Sequence, residues 1–196
     1  MSKPITATTA ASGFPALEMK GSRGLMLGVL FAAIYVAFTW VWGPLAFVSV
    51  GGLNFRPSDG LELFGILNRK LAVYFAIGTF IANLTATSGG LLQLTLMPAA
   101  HFIAVLGIYY AAFYGRRVGF YVLAPIIAAV VESAAVTLMF SLFFASAFLP
   151  ITWAFIMAPM LVVNFLFTSV VMQVCQRLGW MKKPLAAAPN VPMRES

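Results

Sequence analysis

Three acidic residues within apolar sequence are the side chains of this chain best suited to chemistry. The chain has five acidic residues, and two of them lie in polar terminal stretches, which leaves Asp59, Glu62 and Glu132 among apolar segments. A carboxylate at the centre of a membrane-spanning helix costs about 2.5 to 3.5 kcal/mol, so it faces the protein interior and has a partner there. Such a carboxylate binds cations or N–H donors of a ligand, or it holds helices together as a hydrogen-bond acceptor. The residue type alone leaves both roles open.

Other polar side chains fall at a similar depth along the predicted helices. At 1.5 Å per residue, Asn83 and Gln93 lie near the external face, His101 lies deeper, and Asn164 lies near the middle of the membrane. With the three acids they predict a pocket that opens to the outside. Each also has a structural alternative: Asn83 as a helix cap, His101 as a satisfied core residue, and Asn164 as a hydrogen bond between helices. The same outer half holds aromatic residues that either form an interfacial belt or stack on a flat heterocycle, namely Trp40, Trp42, Phe47, Phe55 and Trp153.

The composition is that of an integral membrane protein. Of 196 residues, 62% are hydrophobic and 9% are charged, and one soluble core of this size cannot hide so much apolar surface. Eleven of the twelve Lys and Arg residues fall in segments that share one side of the membrane if the chain crosses it six times. Basic residues accumulate in short cytoplasmic loops, so both termini are predicted to be cytoplasmic in a multi-pass protein of the cell membrane. The twelfth, Arg56, lies on the other side near Asp59, either as an ion pair that holds a loop or as a ligand contact.

Six apolar segments predict an all-α membrane protein with six transmembrane helices, of which the second and third are short. The second helix, with Ser58 as its N-cap, has about ten residues and spans about 15 Å, which requires packing inside protein. Before it, glycines and Pro57 in an apolar stretch predict an external lid-like loop. The predicted helices are residues 25–41, 59–68, 71–84, 91–114, 118–147 and 151–176, in a membrane domain at 23–180 between disordered cytoplasmic tails at 1–22 and 181–196.

Several functional classes lack their motifs in this chain. Cys175 is the only cysteine and His101 the only histidine, so no disulfide and no cysteine or histidine metal cluster is expected. No P-loop, HExxH or GxSxG motif occurs. We therefore expect no cofactor, no bound metal and no enzymatic activity, and we expect partner subunits to carry out any ATP hydrolysis.

Small residues recur along the first helix. Gly24, Gly28 and Ala32 are spaced every four residues, and Ala33 with Ala37 repeats the spacing one position on. Such a strip lets another helix approach closely. That helix belongs either to the same bundle or to a partner protein.

Two segments resemble a known family. Residues 53–61, LNFRPSDGL, resemble the external loop and second helix of the QueT family, and residues 78–84, GTFIANL, resemble its third helix. The chain departs from the family pattern at Asn54, Asp59 and Gly60, which stand for Gln, Glu and Ala. Glu132 and Asn164 also fall where an amide and an acid are expected.

The resemblance implies a six-helix substrate-binding subunit, an S component, of an energy-coupling factor (ECF) transporter. Such subunits take up queuosine precursors, 7-deazaguanines such as 7-aminomethyl-7-deazaguanine, together with a transmembrane coupling subunit and two ATPases. The competing interpretation is a non-transport structural subunit of a larger membrane complex. The predicted substrate-binding residues are Asn54, Phe55, Arg56, Asp59, Glu62, Asn83, His101, Glu132 and Asn164, and the predicted partner-binding residues are Gly24, Gly28, Ala32, Ala33 and Ala37.

Overall fold

Six helices make up the described part of the chain. The computed structural model describes residues 19–42, 57–85, 90–143 and 150–178. The all-α class with six helices is confirmed, whereas the predicted lid-like loop and most of the predicted tails lie outside the described residues. In chain order the helices are α1 (Gly21–Val41), α2 (Pro57–Leu67), α3 (Leu71–Asn83), α4 (Gly90–Val118), α5 (Ala124–Phe143) and α6 (Pro150–Arg177).

Four helical segments are long and apolar enough to cross a membrane. Large apolar side chains point outward from them; Met26 and Leu91, for example, are 71% and 79% exposed. An outer surface of this kind is stable against lipid, so the chain is a multi-pass membrane protein. The other two helices, α2 and α3, have 11 and 13 residues, which confirms that the second and third helices are short. The four segments are Gly21–Val41, Gly90–Gly115, Gly119–Leu142 and Pro150–Arg177.

The apolar core draws side chains from all six helices. Tyr35 of α1, Leu63 of α2 and Phe75 of α3 are fully buried in it. A smaller apolar cluster lies among α4, α5 and α6, with Met97 and Met160 as its larger members. Polar side chains are also buried in this interior, so the bundle is apolar on its surface and partly polar inside.

The geometry of α2 differs from the prediction. The sequence predicts an α-helix over 59–68, but Pro57–Leu67 forms a 3₁₀ helix. A 3₁₀ helix rises about 2.0 Å per residue, so α2 spans roughly 22 Å and reaches further than expected. Ser58 lies inside this helix and its hydroxyl donates to Asp59 Oδ1 over 3.5 Å, so the predicted N-cap is wrong.

Packing on two sides explains the narrow 3₁₀ geometry of α2. Ten of its residues are buried, as predicted for a helix packed inside protein. Gly60 lies against Phe167 of α6 and Gly65 lies against Val105 of α4, at positions where a Cβ atom would overlap these side chains. Because a 3₁₀ helix is thinner than an α-helix, it fits between two neighbours that approach this closely.

The chain reverses direction between α4 and α5. The sequence predicts the reversal at 115–117, which agrees with the membrane-spanning segments Gly90–Gly115 and Gly119–Leu142 on either side of it. Helical geometry continues through this region: α4 ends at Val118, and a five-residue π-helical segment, Gly119–Leu123, precedes α5. Gly119 lies against the carbonyl group of Ala111, where any side chain would overlap the backbone. This contact joins the two sides of the predicted reversal, and Gly119 permits it because it has no side chain.

Small residues on α1 allow α3 to approach closely within the chain. Gly28 lies against the ring of Tyr74, and the carbonyl group of Ala32 lies near Gly78. Gly24, Gly28 and Ala32 are buried, whereas Ala33 and Ala37 are exposed. Contact with α3 accounts for Gly28 and Ala32, whereas Gly24 lies against the backbone of Met19. A partner-binding role for the strip stays a prediction.

A larger side chain at Gly28 is expected to destabilise the isolated protein. Gly28→Leu forces apart α1 and α3 at the Tyr74 ring, and overpacking of this kind typically costs about 1 to 3 kcal/mol. The matched control is Ala33→Leu, which adds a similar volume at an exposed position of the same helix. We expect thermal unfolding in detergent to show a lower midpoint for Gly28→Leu only. Equal midpoints for the two variants would contradict the observed packing.

Candidate functional site

Three ionisable side chains from three helices meet in the interior. Glu62 of α2, His101 of α4 and Glu132 of α5 are all fully buried. The imidazole Nδ1–H of His101 donates to Glu62 Oε1, and Glu132 Oε1 lies 3.8 Å from the same nitrogen. Residues 101 and 132 come together because the chain reverses between α4 and α5. We call this group the Glu–His–Glu cluster.

The Glu–His–Glu cluster carries two carboxylates against one imidazole. Among the side chains that the structure describes, the Lys and Arg residues are all exposed, so no lysine or arginine of these ranges offsets the second carboxylate. Both oxygens of Glu132 lack a hydrogen-bond partner within the same ranges. A buried polar group without a partner is costly, and natural proteins keep such groups mainly where they serve a function.

Asp59 lies beside this cluster and is held by α1. The hydroxyl group of Tyr35 donates to Asp59 Oδ1 over 3.2 Å. The ring of Tyr35 also packs edge-on against the imidazole of His101, with ring centroids 5.8 Å apart. Tyr35 thus connects the acidic residue of α2 with the histidine of α4.

Two buried amides form a separate pair where α3 ends and α4 begins. Gln93 Nε2 donates to Asn83 Oδ1 over 3.3 Å, and both side chains are buried. Asn164 of α6 is also fully buried, and neither its amide nitrogen nor its amide oxygen has a partner in the described ranges. The interior therefore offers unpaired amide donors and acceptors in addition to the acids.

A comparison with protein families identifies the type of protein. The family model described as QueT transporter matches residues 25–177, which is well over half of the chain and extends from α1 to the end of α6. The chain belongs to the QueT transporter family. No curated protein and no solved structure matches it. The resemblance inferred from two short segments is thus confirmed over the whole helical domain of this QueT transporter.

The structure brings together four of the residues predicted to bind substrate in this QueT transporter. Asp59, Glu62, His101 and Glu132 form one connected group through the contacts described above. Asn83 is paired with Gln93, and Asn164 is buried on α6 without a hydrogen-bond partner in the described ranges. The other predicted residues, Asn54, Phe55 and Arg56, lie outside the described residues.

The Glu–His–Glu cluster is also a set of donors that could hold a metal ion. One imidazole nitrogen and two carboxylate oxygens lie within 4.8 Å of one another. Such donors suit Zn²⁺ and other divalent transition metals. The sequence predicts no metal because it has one histidine and one cysteine; a mixed set whose members are 39 and 31 residues apart gives no recognisable spacing.

Tyr35 was not predicted as a site residue of this QueT transporter. It is the only tyrosine of α1, a 21-residue helix that is otherwise almost entirely apolar. A hydroxyl group in such a helix needs a hydrogen-bond partner inside the protein. That requirement is a sequence signal for an interior role, although it does not indicate that the partner is Asp59.

Proposed function

We propose that this QueT transporter is the substrate-binding membrane subunit, the S component, of an ECF transporter. Its substrate is a queuosine precursor, a 7-deazaguanine such as 7-aminomethyl-7-deazaguanine, or a similar small heterocycle. The observation that carries the proposal is a set of fully buried polar atoms without partners in the described ranges, above all on Glu132 and Asn164. A ligand that enters the bundle supplies those partners.

The chemistry of these side chains suits the edge of a guanine-like heterocycle. That edge presents adjacent N–H donors next to a carbonyl acceptor. Carboxylate oxygens accept hydrogen bonds from N–H groups, and the amide of Asn164 both donates and accepts. Hydrogen bonds to a charged carboxylate are roughly twice as strong as neutral ones, which favours tight capture of a dilute substrate.

The exposed side of α1 supports a role in a larger transporter. Ala33 and Ala37 lie on this side next to large exposed residues such as Leu30, and two small residues four positions apart let a partner helix approach closely. The sequence has no P-loop, so the energy for release comes from two ATPases through a transmembrane coupling subunit. The distribution of basic residues favours cytoplasmic termini and a site that loads from outside.

One alternative is a structural subunit of another membrane complex. The contacts of Glu62 with His101 and of Tyr35 with Asp59 favour it, because they tie α2 to α4 and to α1 in the way that structural hydrogen bonds do. The partnerless oxygens of Glu132 and the amide of Asn164 favour a binding protein instead.

Ligand binding by the purified chain tests the proposal. We expect the protein to retain a compound with a nucleobase-like ultraviolet spectrum, identified by mass spectrometry after denaturation. We also expect ligand-free protein to bind 7-aminomethyl-7-deazaguanine in calorimetry, one molecule per chain. Adenine, which presents a different pattern of donors and acceptors, is the matched negative control. Protein that retains no heterocycle and binds neither compound would favour the structural subunit.

A further inference from the structure

A groove runs along the outer face of α1. It has a volume of about 720 Å³, and the described residues that line it lie between Ser22 and Ala33. Ser22 and Arg23 form its polar end, and the rest of its lining is apolar, with Met26 and Val29 among the exposed residues. We call it the α1 groove. It fits a molecule with one polar end and a long apolar part.

The length of the α1 groove matches one leaflet of a bilayer. From Ser22 to Ala33 the helix rises about 16 Å at 1.5 Å per residue, whereas the hydrocarbon core of a membrane is about 30 Å thick. Arg23 lies at the start of this membrane-spanning helix, so the groove begins at the membrane surface and ends near the midplane. An acyl chain of a phospholipid covers this distance, while a partner helix that crosses both leaflets needs a longer surface.

Charge at the polar end of the α1 groove favours an anion. Arg23 is exposed there, and the ammonium group of Lys70 donates to the carbonyl of Met19, just before α1, over 3.1 Å. Arg69, next to Lys70, is also exposed. The first turn of α1 contains no acidic residue, and the acids of the described ranges are all buried in the interior. The positive end of the α1 helix dipole adds to the attraction of these cations for an anion.

We propose that the α1 groove is a binding site for an anionic phospholipid, whose phosphate contacts Arg23 and whose acyl chain lies along Met26, Val29 and Leu30. The inference is independent of the proposed transport function, because it concerns the outer surface and not the interior. Anionic lipids are concentrated in the cytoplasmic leaflet, which is the side that the distribution of basic residues favours for the start of α1.

Two lipids that differ only in headgroup test the charge requirement. Full-length, delipidated protein in detergent is titrated with dioleoyl phosphatidylglycerol or with dioleoyl phosphatidylcholine, and bound lipid is counted by native mass spectrometry. We expect one molecule of the anionic lipid to bind at least about five-fold more tightly than the zwitterionic one. Arg23→Gln should weaken binding of the anionic lipid about five-fold and leave the zwitterionic lipid unchanged, since one cation near an anionic headgroup has an effect of this size.

Arg177→Gln is the matched control for the charge, because it removes an exposed arginine at the end of α6, outside the α1 groove. We expect this variant to bind both lipids as the parent does. An unchanged melting midpoint shows that each variant is folded.

Filling the α1 groove tests the acyl-chain contact separately. Val29→Trp should weaken binding of both lipids, because the larger side chain occupies the space of the acyl chain. Val162→Trp, the same change at an exposed position of α6, is the matched control and should bind both lipids normally. Met26→Trp, also in the α1 groove, replaces Val29→Trp if the latter does not fold.

Several results would overturn the inference. Equal affinity for the two lipids, or a preference that persists in Arg23→Gln, would show that Arg23 does not select an anionic headgroup. Normal binding by Val29→Trp, or displacement of the lipid by inorganic phosphate alone, would show that an anion binds without the apolar groove. A dimer of the parent that Val29→Trp abolishes would assign the α1 groove to contact between two copies of the chain.

Discussion

Replacing His101 with leucine is expected to cause a larger loss of stability than any other change discussed for this chain. His101 lies between two buried carboxylates, donates to Glu62 Oε1 and is 3.8 Å from Glu132 Oε1. Leucine has a similar size but no donor, so it leaves the two acids facing each other. Removing one partner of a buried ion pair typically costs about 3 to 5 kcal/mol, because the other charge stays buried.

Thermal unfolding of the purified protein in detergent, followed by circular dichroism, measures this loss. The matched comparison is the double variant Glu62→Leu with His101→Leu, in which both partners become apolar. Replacing a buried pair by apolar residues is often nearly neutral, so the double variant should recover at least half of the lost stability. A double variant less stable than His101→Leu alone would show that Glu62 and His101 are not energetically paired.

Replacing Asn164 with leucine is expected to affect binding and stability in opposite directions. Its buried amide has no partner in the described ranges, so an apolar side chain of similar size removes an unsatisfied group and leaves the melting midpoint unchanged or raised. If the amide contacts the ligand, the same change removes those hydrogen bonds. We expect affinity for 7-aminomethyl-7-deazaguanine to fall roughly ten- to hundred-fold, or about 1.5 to 3 kcal/mol.

Thr168→Val is the matched control for Asn164 on the same helix. The Thr168 hydroxyl donates to the backbone carbonyl of Asn164 over 2.8 Å, so it is already satisfied within α6. This variant should change neither affinity nor melting midpoint appreciably. If Asn164→Leu bound the ligand as tightly as the parent, Asn164 would have no part in the binding site.

Hydropathy and charge in the sequence predicted those helices whose ends are determined by the neighbouring residues in the chain. The long apolar runs of α1 and α6 were placed within four residues of the observed ends, because each run is bounded by polar or helix-breaking residues. The reversal between α4 and α5 was placed at 115–117, and the two membrane-spanning segments end at Gly115 and begin at Gly119. Arg116 and Arg117 indicate a membrane surface at this position, whereas the close approach of Gly119 to Ala111 is seen only in the structure. A contact between two residues that are apart in the sequence cannot be predicted from the residues next to either of them.

The 3₁₀ geometry of α2 is a second feature that local sequence could not predict. Pro57 and Ser58 are compatible with the start of an ordinary α-helix. What selects the narrower helix is the space between Phe167 of α6 and Val105 of α4, two residues from other parts of the chain. Propensity is a weak determinant when tertiary packing opposes it.

By itself, the sequence determined that this is a membrane protein, that it belongs with the QueT transporters, and that a few acids and amides lie inside it. These conclusions follow from composition, from short motifs and from the cost of placing charge in lipid, all of which are local quantities. Only the tertiary structure decided which polar residues meet. It paired Glu62 with His101 and Tyr35 with Asp59, and it left Glu132 without a hydrogen-bond partner in the described ranges. These hydrogen-bond partners are 24 and 39 residues apart in the sequence, so they meet only through the packing of helices. That packing depends on side chains from all the helices of the bundle.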